Sequence, residues 1–132
     1  MAVTVERLGD ESILVATLTG EIVVDDVIEM YRMSAALIRE DEDVVYRITD
    51  VRLATSDFAR MFAIVRESSK GQPGDATDPR IKATVVGTNQ WITFMRNAMN
   101  SPRFGNVQMA AFPSMDEALA SIRIQMSLDK AL

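Results

Sequence analysis

The amino-acid sequence predicts an α/β domain with a mixed five-stranded sheet and four helices. Strand-type and helix-type patterns of apolar residues alternate in the order β-β-α-β-α-β-α-β-α, which is typical of a mostly parallel sheet with an antiparallel first strand. The length of 132 residues is within the range of single domains, so we expect residues 1–132 to form one domain. With 48% hydrophobic and 25% charged residues, the composition is that of an ordinary globular chain.

Two strands open the chain and are expected to form an antiparallel hairpin. The first is predicted over Thr4–Leu8 and the second over Ile13–Thr19, and a turn at Gly9 and Asp10 joins them. A helix follows, with Asp25 as its predicted N-cap. Its sheet-facing side chains recur every three or four residues: Val27, Met30, Tyr31, Ser34, Leu37 and Ile38.

The third strand is predicted over Val44–Ile48, and a helix capped by Ser56 or Asp57 comes next. The inner face of this helix is predicted to consist of Phe58, Met61, Phe62 and Val65. The segment Ser68–Pro79 holds two glycines, two prolines and two aspartates, so it is predicted to be the long loop of the domain.

The last four elements repeat the alternation. The fourth strand is predicted over Ile81–Val86, and Thr88 or Asn89 can cap a third helix. The apolar side chains of that helix are Trp91, Phe94, Met95, Ala98 and Met99. A fifth strand over Val107–Phe112 precedes a capping box at residues 114–117. The final helix that this box opens carries Ala118, Leu119, Ile122 and Met126.

The composition excludes several kinds of chemistry. There is no cysteine and no histidine, which removes thiolate nucleophiles, zinc–thiolate sites, the commonest general base and the commonest metal ligand. No glycine-rich phosphate loop and no nucleophile elbow occurs. The sequence therefore predicts no catalytic residue, no metal site and no cofactor. Carboxylates at Glu21, Asp25 and Asp26 lie close in sequence, but a strand–helix junction accounts for them as turn and cap residues.

Charge and hydropathy bear on partners and location. The net charge of −5 argues against nucleic acid as a main partner, because phosphate neutralisation needs clustered Lys and Arg. No apolar run approaches the roughly 20 residues that cross a bilayer, and the start does not resemble a secretory signal, so we expect no membrane span and a cytoplasmic protein.

Residues 1–50 hold twelve acidic and four basic residues, whereas residues 51–105 hold four acidic and eight basic ones. This asymmetry indicates either ordinary solvated faces or two sides suited to self-association or to an anionic ligand.

Several short segments of the sequence resemble segments that are typical of one protein superfamily. Leu18–Glu21 leads to Asp25 at the first helix, Ala83–Gly87 is followed by Trp91, and Phe112–Leu119 opens the last helix. These phrases resemble the sporulation stage II AA-like (SpoIIAA-like) branch of the STAS domains, the domains of sulfate transporters and anti-sigma-factor antagonists. The resemblance spans most of the chain and implies a STAS-like fold. Each phrase is a turn, a buried strand or a cap, so it carries no catalytic motif.

The resemblance also implies a function class, because STAS domains act mainly as regulatory or binding modules. Anti-sigma-factor antagonists present an Asp-Ser-Ser-Gly-Leu type segment after the third strand, and a kinase phosphorylates a serine in it. On this chain that segment falls on residues 55–59, where the Gly-Leu pair is missing and Ser56 stands beside Asp57. Ser56 is therefore a candidate phosphorylation site, and the alternative is that both residues only cap the helix.

Two further groups of residues are candidate binding sites. The N-terminus of the third helix carries Thr88 and Asn89 without an acid, and Arg96 lies downstream, so this end could attract an anion. A soft apolar set could instead enclose a lipophilic ligand or cover a partner, and it includes Met61, Phe62, Trp91 and Met95. The plain alternative is that these side chains are core packed on the sheet.

The sequence thus favours a non-catalytic STAS-like regulatory or binding module, expected as a homodimer. Its predicted partner is a protein or a small lipophilic or anionic ligand. Two alternatives stay open at this point: an anti-sigma-factor-antagonist-type phosphoswitch at Ser56, and a small carboxylate-dependent enzyme.

Overall fold

One mixed sheet with helices on both of its faces forms the structure, which is a computed structural model describing residues 3–131. Residues 1, 2 and 132 of the predicted domain lie outside this range. The strands are β1 (Val3–Arg7), β2 (Ile13–Glu21), β3 (Val45–Thr55), β4 (Ile81–Val86) and β5 (Ala110–Phe112). The helices are α1 (Val24–Leu37), α2 (Phe58–Ser68), α3 (Gln90–Met99) and α4 (Met115–Ala131), with a short 3₁₀ turn at Pro102–Phe104.

The sheet has the spatial order β1-β2-β3-β4-β5, so each strand lies beside its neighbour in sequence. The first pair is antiparallel, with Val3 opposite Leu18 and Arg7 opposite Leu14. The remaining three pairs are parallel. The predicted order of elements, the mixed five-stranded sheet and the four helices are therefore confirmed.

The two faces of the sheet are covered differently. Helices α1, α2 and α3 pack on one face, against side chains such as Leu14, Val45 and Val85. Helix α4 packs on the other face, where Ala118 and Ile122 meet Ile13, Ile48 and Val86. This division follows the two-residue period of a strand, because successive side chains point to opposite faces. None of the described helices is long and apolar enough to cross a membrane.

Strand β3 is longer than the sequence pattern predicts. It was expected to end at Ile48, yet it continues to Thr55. Beyond Asp50, which lies opposite Val86 of β4, it pairs only with the end of β2 in the register given by Leu53 opposite Thr19. The result is a two-stranded extension in which Arg52, Leu53 and Thr55 are exposed, so its sequence lacks the apolar run of a buried strand.

Strand β5 is shorter than predicted. It covers Ala110–Phe112 instead of residues 107–112, because the backbone N–H of Val107 donates to the carbonyl of Met99 at 2.7 Å. Val107 is thereby held at the end of α3 and does not join the sheet. The shorter β5 pairs with Thr84–Val86 and leaves the first half of the β4 edge uncovered.

The helix caps agree with the sequence in part. Asp57 caps α2 as predicted, since its carboxylate accepts from the backbone N–H of Arg60 at 2.8 Å. Helix α1 instead starts two residues earlier than Asp25 implies, with Val23 at the cap position and the Asp26 carboxylate accepting from the Val23 N–H at 3.2 Å. At α4 the Ser114 hydroxyl oxygen accepts from the N–H of Glu117, as a capping box requires.

The predicted inner face of α2 is wrong at its two phenylalanines. Phe58 is 61% exposed and Phe62 is 45% exposed, whereas Met61 and Val65 are buried. The buried stripe of α2 also includes Ile64. The helix is rotated so that its less bulky apolar side chains meet the sheet, and the phenylalanine rings contact Phe94 and Phe104 edge to face at the surface.

A charged cluster fixes the loop between α1 and β3 to the first hairpin. The Glu42 carboxylate accepts from both terminal nitrogens of Arg7 at 2.8 and 2.7 Å, from the Ser12 hydroxyl at 2.6 Å and from the Arg39 N–H at 2.8 Å. The side chains of Arg7 and Glu42 are 12% and 8% exposed. The hydrogen bonds from Arg7 lower the pKa of Glu42 to about 2.

We expect Glu42→Gln to lower the free energy of unfolding at pH 7 by about 2 kcal/mol or more, because it leaves Arg7 largely buried without its partner. A carboxylate with a lowered pKa stabilises the fold above its unfolded pKa of about 4.3 and loses that effect as the pH falls toward 2. The difference between wild type and variant, measured by urea unfolding, should therefore shrink between pH 5 and pH 2.5. The control is Glu29→Gln in the exposed pair with Arg32, expected within about 0.5 kcal/mol of wild type. An E42Q deficit that does not change with pH would contradict this account.

Candidate functional site

An internal cavity lies between the sheet and helices α1, α2 and α3. Its volume is about 50 Å³. Strands β2, β3 and β4 form its floor, for instance through Leu18, Val51 and Val85, and Trp91 of α3 closes one side. Five of the nine methionines of the chain line it: Met30, Met61, Met95, Met99 and Met109.

The methionines matter because of their flexibility. An unbranched thioether with three rotatable bonds adapts to irregular volumes better than a branched side chain does. Met61 and Met99 are each 1% exposed, so they are packed inside the protein and not on its surface. A wall made of such side chains can change shape at a lower cost than one made of leucine or isoleucine.

Arg47 is the charged side chain of this cavity. It lies on β3 and is 2% exposed. One terminal nitrogen donates to the backbone carbonyl of Gly74, and the guanidinium carbon is 5.3 Å from the centre of the Tyr31 ring. Its Nε has no hydrogen-bond partner among the described residues, and Arg47 takes part in none of the ion pairs they form. Burial lowers the pKa of Arg47.

A buried guanidinium without a contacting carboxylate is unusual. Removing an ion from water costs several kcal/mol, and only close opposite charge and a full set of hydrogen bonds offset this. Neutral partners surround Arg47 instead. Tyr31 and Ser68 share a hydrogen bond with each other, and burial raises the pKa of Tyr31 to about 12, so the phenol is neutral at ordinary pH.

The aspartates nearest to Arg47 are engaged elsewhere. Asp75 is fully buried and accepts from the backbone N–H groups of Gly71, Gln72 and Thr77 at 2.8 to 2.9 Å. Asp78 accepts from the Gly74 N–H and from the Arg80 guanidinium. Both carboxylates therefore hold the loop after α2 in shape and attract Arg47 from a distance only.

Gly74 places that loop directly against α1. Its φ is +86°, a left-handed conformation that favours glycine, and a Cβ there would overlap the backbone carbonyl of Tyr31. The close approach brings the Gly74 carbonyl to Arg47. The loop thus covers the guanidinium of Arg47.

A second, larger hollow opens along the edge of the sheet. It is a groove of about 920 Å³ beside the uncovered half of β4, bounded by the segment before β5 and by α4. Lys82, Arg96 and Asn100 line it together with less polar residues such as Val107 and Ile122. Arg96 donates to the carbonyl of Met109 at 2.7 Å, and Lys82 lies 3.5 Å from Asp129, so both cations already have partners.

The structure distributes the candidate residues over three places. Met61, Trp91 and Met95 are brought together as walls of the cavity. Phe62 lies outside it on the exposed side of α2. The three residues of the candidate anion site do not come together. Thr88 is exposed, and the Asn89 amide donates to the Ala54 carbonyl at 3.0 Å. Arg96 lies in the edge groove.

The sequence interpretation missed Arg47. It lies within the predicted third strand, Val44–Ile48. A charged residue between apolar neighbours in a predicted central strand is the signal that could have identified Arg47. Ser56, the candidate phosphorylation site, lies half-buried just before the Asp57 cap of α2.

Comparison with known proteins supports the class of fold. No protein-family model matches the sequence, and no curated protein gives a significant sequence match. Among solved structures, one similar protein is an uncharacterized member of the DUF3478 family with a SpoIIAA-like fold from Shewanella loihica PV-4. The TM-score is 0.57 at 16% sequence identity, and the match covers 90% of each chain. The chain therefore has a SpoIIAA-like fold, which confirms the resemblance in its phrases at the level of fold.

Proposed function

We propose that this chain is a non-catalytic STAS-like binding module that takes the end of a small lipophilic ligand into the cavity between the sheet and helices α1–α3. The observation that carries the proposal is the apolar cavity itself, with five methionines in its wall. Apolar pockets with a few polar groups are the usual form of small-molecule sites. Of the described residues that line the cavity none is a carboxylate, which favours binding over acid–base catalysis.

The size of the cavity limits what it holds in this state. A water-sized atom needs about 10–15 Å³, so about 50 Å³ accepts the end of a ligand rather than a whole molecule. The rest of the ligand would pass between α2 and α3, where Met95 is half-buried and Phe58 contacts Phe94. The exposed rings of Phe58 and Phe62 would then cover the apolar body of the ligand.

Native mass spectrometry of protein purified from cells without denaturation tests the proposal at its simplest. A bound small molecule should appear as a mass excess that is lost on denaturation and recovered in an organic extract. Trp91 gives a second measurement, because it is the sole tryptophan and lines the cavity. Titration with decanol, a neutral lipophilic probe, should change its fluorescence in a saturable way.

We expect Val85→Ile to weaken decanol binding several-fold while leaving the fold intact, because the added methylene points into the cavity. Filling a void also tends to stabilise, so the free energy of unfolding should stay the same or rise by up to about 1 kcal/mol. Val15→Ile is the matched control, since Val15 lies on the face covered by α4. Equal decanol affinities in wild type and V85I, or no response of wild type to decanol, would refute the cavity as the site.

A phosphoswitch at Ser56 is the second candidate function. One feature favours it: Ser56 precedes the N-terminus of α2, where the helix dipole stabilises added negative charge. The Asp57 carboxylate already occupies that end, and Glu21 pairs with Arg60 beside it. A phosphate would meet both carboxylates.

If the binding module is the correct assignment, incubation with ATP and candidate kinases should leave Ser56 unmodified. Peptide mass spectrometry covering residues 52–60 checks this. Stoichiometric phosphate on Ser56, absent from a Ser56→Ala variant, would move the assignment to the phosphoswitch.

The homodimer expected from the sequence stays a proposal. Leu53 is a large apolar side chain that is 74% exposed, and a second copy could cover it. Light scattering should give twice the monomer mass for wild type and the monomer mass for Leu53→Ser. A monomer at all concentrations for wild type would contradict the proposal, without affecting the decanol experiment.

A further inference from the structure

Arg47 is the one charged side chain among the described residues that line the cavity. It is 2% exposed, it lies on the central strand, and its Nε has no partner within the described part of the chain. The Gly74 carbonyl satisfies one N–H of the guanidinium. The cavity therefore holds a cationic side chain with an unsatisfied donor among side chains that are mostly apolar.

The nearby groups do not complete this site. The Ser68 hydroxyl donates to the Ile64 carbonyl at 2.7 Å and so accepts the hydrogen bond from Tyr31. Asp75 and Asp78 are bonded to the loop that they hold. What Arg47 lacks is an anionic oxygen at contact distance, and no side chain of the described chain supplies one.

We propose that the cavity recognises a lipophilic monocarboxylic acid, whose carboxylate binds the guanidinium of Arg47 and whose hydrocarbon chain leaves past Met95 between α2 and α3. This inference rests on the proposed function and names its ligand class. A guanidinium presents its donors in a planar fork that matches the planar carboxylate. The small volume also favours a carboxylate of three heavy atoms over a bulkier phosphate or sulfonate. The hydrocarbon chain follows from the remaining lining, which is largely apolar.

The test compares decanoate with decanol, which share a chain length and differ in charge. Binding to the wild-type protein is measured by Trp91 fluorescence and by calorimetry. We expect decanoate to bind about 10- to 100-fold more tightly than decanol, because a charge-assisted hydrogen bond to a buried arginine distinguishes them. Arg47→Met should abolish this preference, so that decanoate binds the variant no more tightly than decanol does.

Arg66→Met is the matched control, because Arg66 is exposed on α2 and does not line the cavity. It should preserve the preference for decanoate. If R47M binds decanoate as wild type does, or if wild type binds both probes equally, Arg47 only holds the loop and this inference is wrong while the proposed function stands. If neither probe binds wild type, the proposed function fails as well.

A second measurement uses wild-type protein alone, in case R47M does not fold. The carboxyl carbon of ¹³C-labelled decanoate is followed by NMR as the pH is lowered. A carboxylate held by Arg47 should stay ionised at pH values where free decanoate is already protonated, since a contacting guanidinium lowers a carboxyl pKa. A bound carboxyl resonance that titrates like free decanoate would place the head group in solvent and overturn the inference.

Discussion

The arrangement of this protein depends on one constraint: the four successive strands β2 to β5 are parallel, and each lies directly beside the next. A parallel neighbour can be reached only by a crossover, and crossovers of one hand between adjacent strands all pass over the same face of the sheet. Helices α1, α2 and α3 are those crossovers, so they collect on one face. The opposite face is left for α4, which among the described helices is the one that is not part of a crossover.

This constraint explains why the cavity lies where it does. Three helices that share one face must pack on the sheet and on one another, and their junction is filled by flexible thioethers instead of interlocking branched side chains. Because successive side chains of a strand point to opposite faces, neighbouring residues of β3 enter different helical layers. Tyr46 points to the α4 side and reaches Asp129 at 3.0 Å, near solvent, whereas Arg47 points into the closed helical layer.

The sequence predicts most of the fold because periodicity and caps are local signals. The strand–helix alternation, the hairpin and the Asp57 cap all follow from residues close to one another in the chain. The errors occur where distant contacts decide the outcome. Phe58 and Phe62 have the spacing of an inner face, but the space between α2 and the sheet suits Met61 and Ile64 instead. Residues 51–55 continue β3 because β2 is long enough to pair with them.

The sequence predicts only part of the cavity, because some of its residues come together through contacts that are distant in the chain. Methionines and Trp91 in the second and third helices indicate a soft apolar layer, and the structure brings Met61, Trp91 and Met95 together. Arg47 could not be assigned to the same site from its neighbours in sequence. Its environment comes from Tyr31 of α1 and from Gly74 in the loop after α2, 16 residues before it and 27 after it.

Helix α4 packs alone on its face of the sheet, and this affects the order in which the elements assemble during folding. The hairpin and the three crossovers join elements that follow one another in sequence, so most of the sheet can form through contacts of short loop length, which favour rapid folding. Helix α4 is different, because its contacts reach back across the chain: Arg123 pairs with Glu11, 112 positions away, and Asp129 accepts from Tyr46, 83 positions away. Loop closure over such distances carries a larger entropic cost. The sheet with its three crossover helices is therefore expected to assemble first, with one apolar face still open to water until the C-terminal helix docks on it.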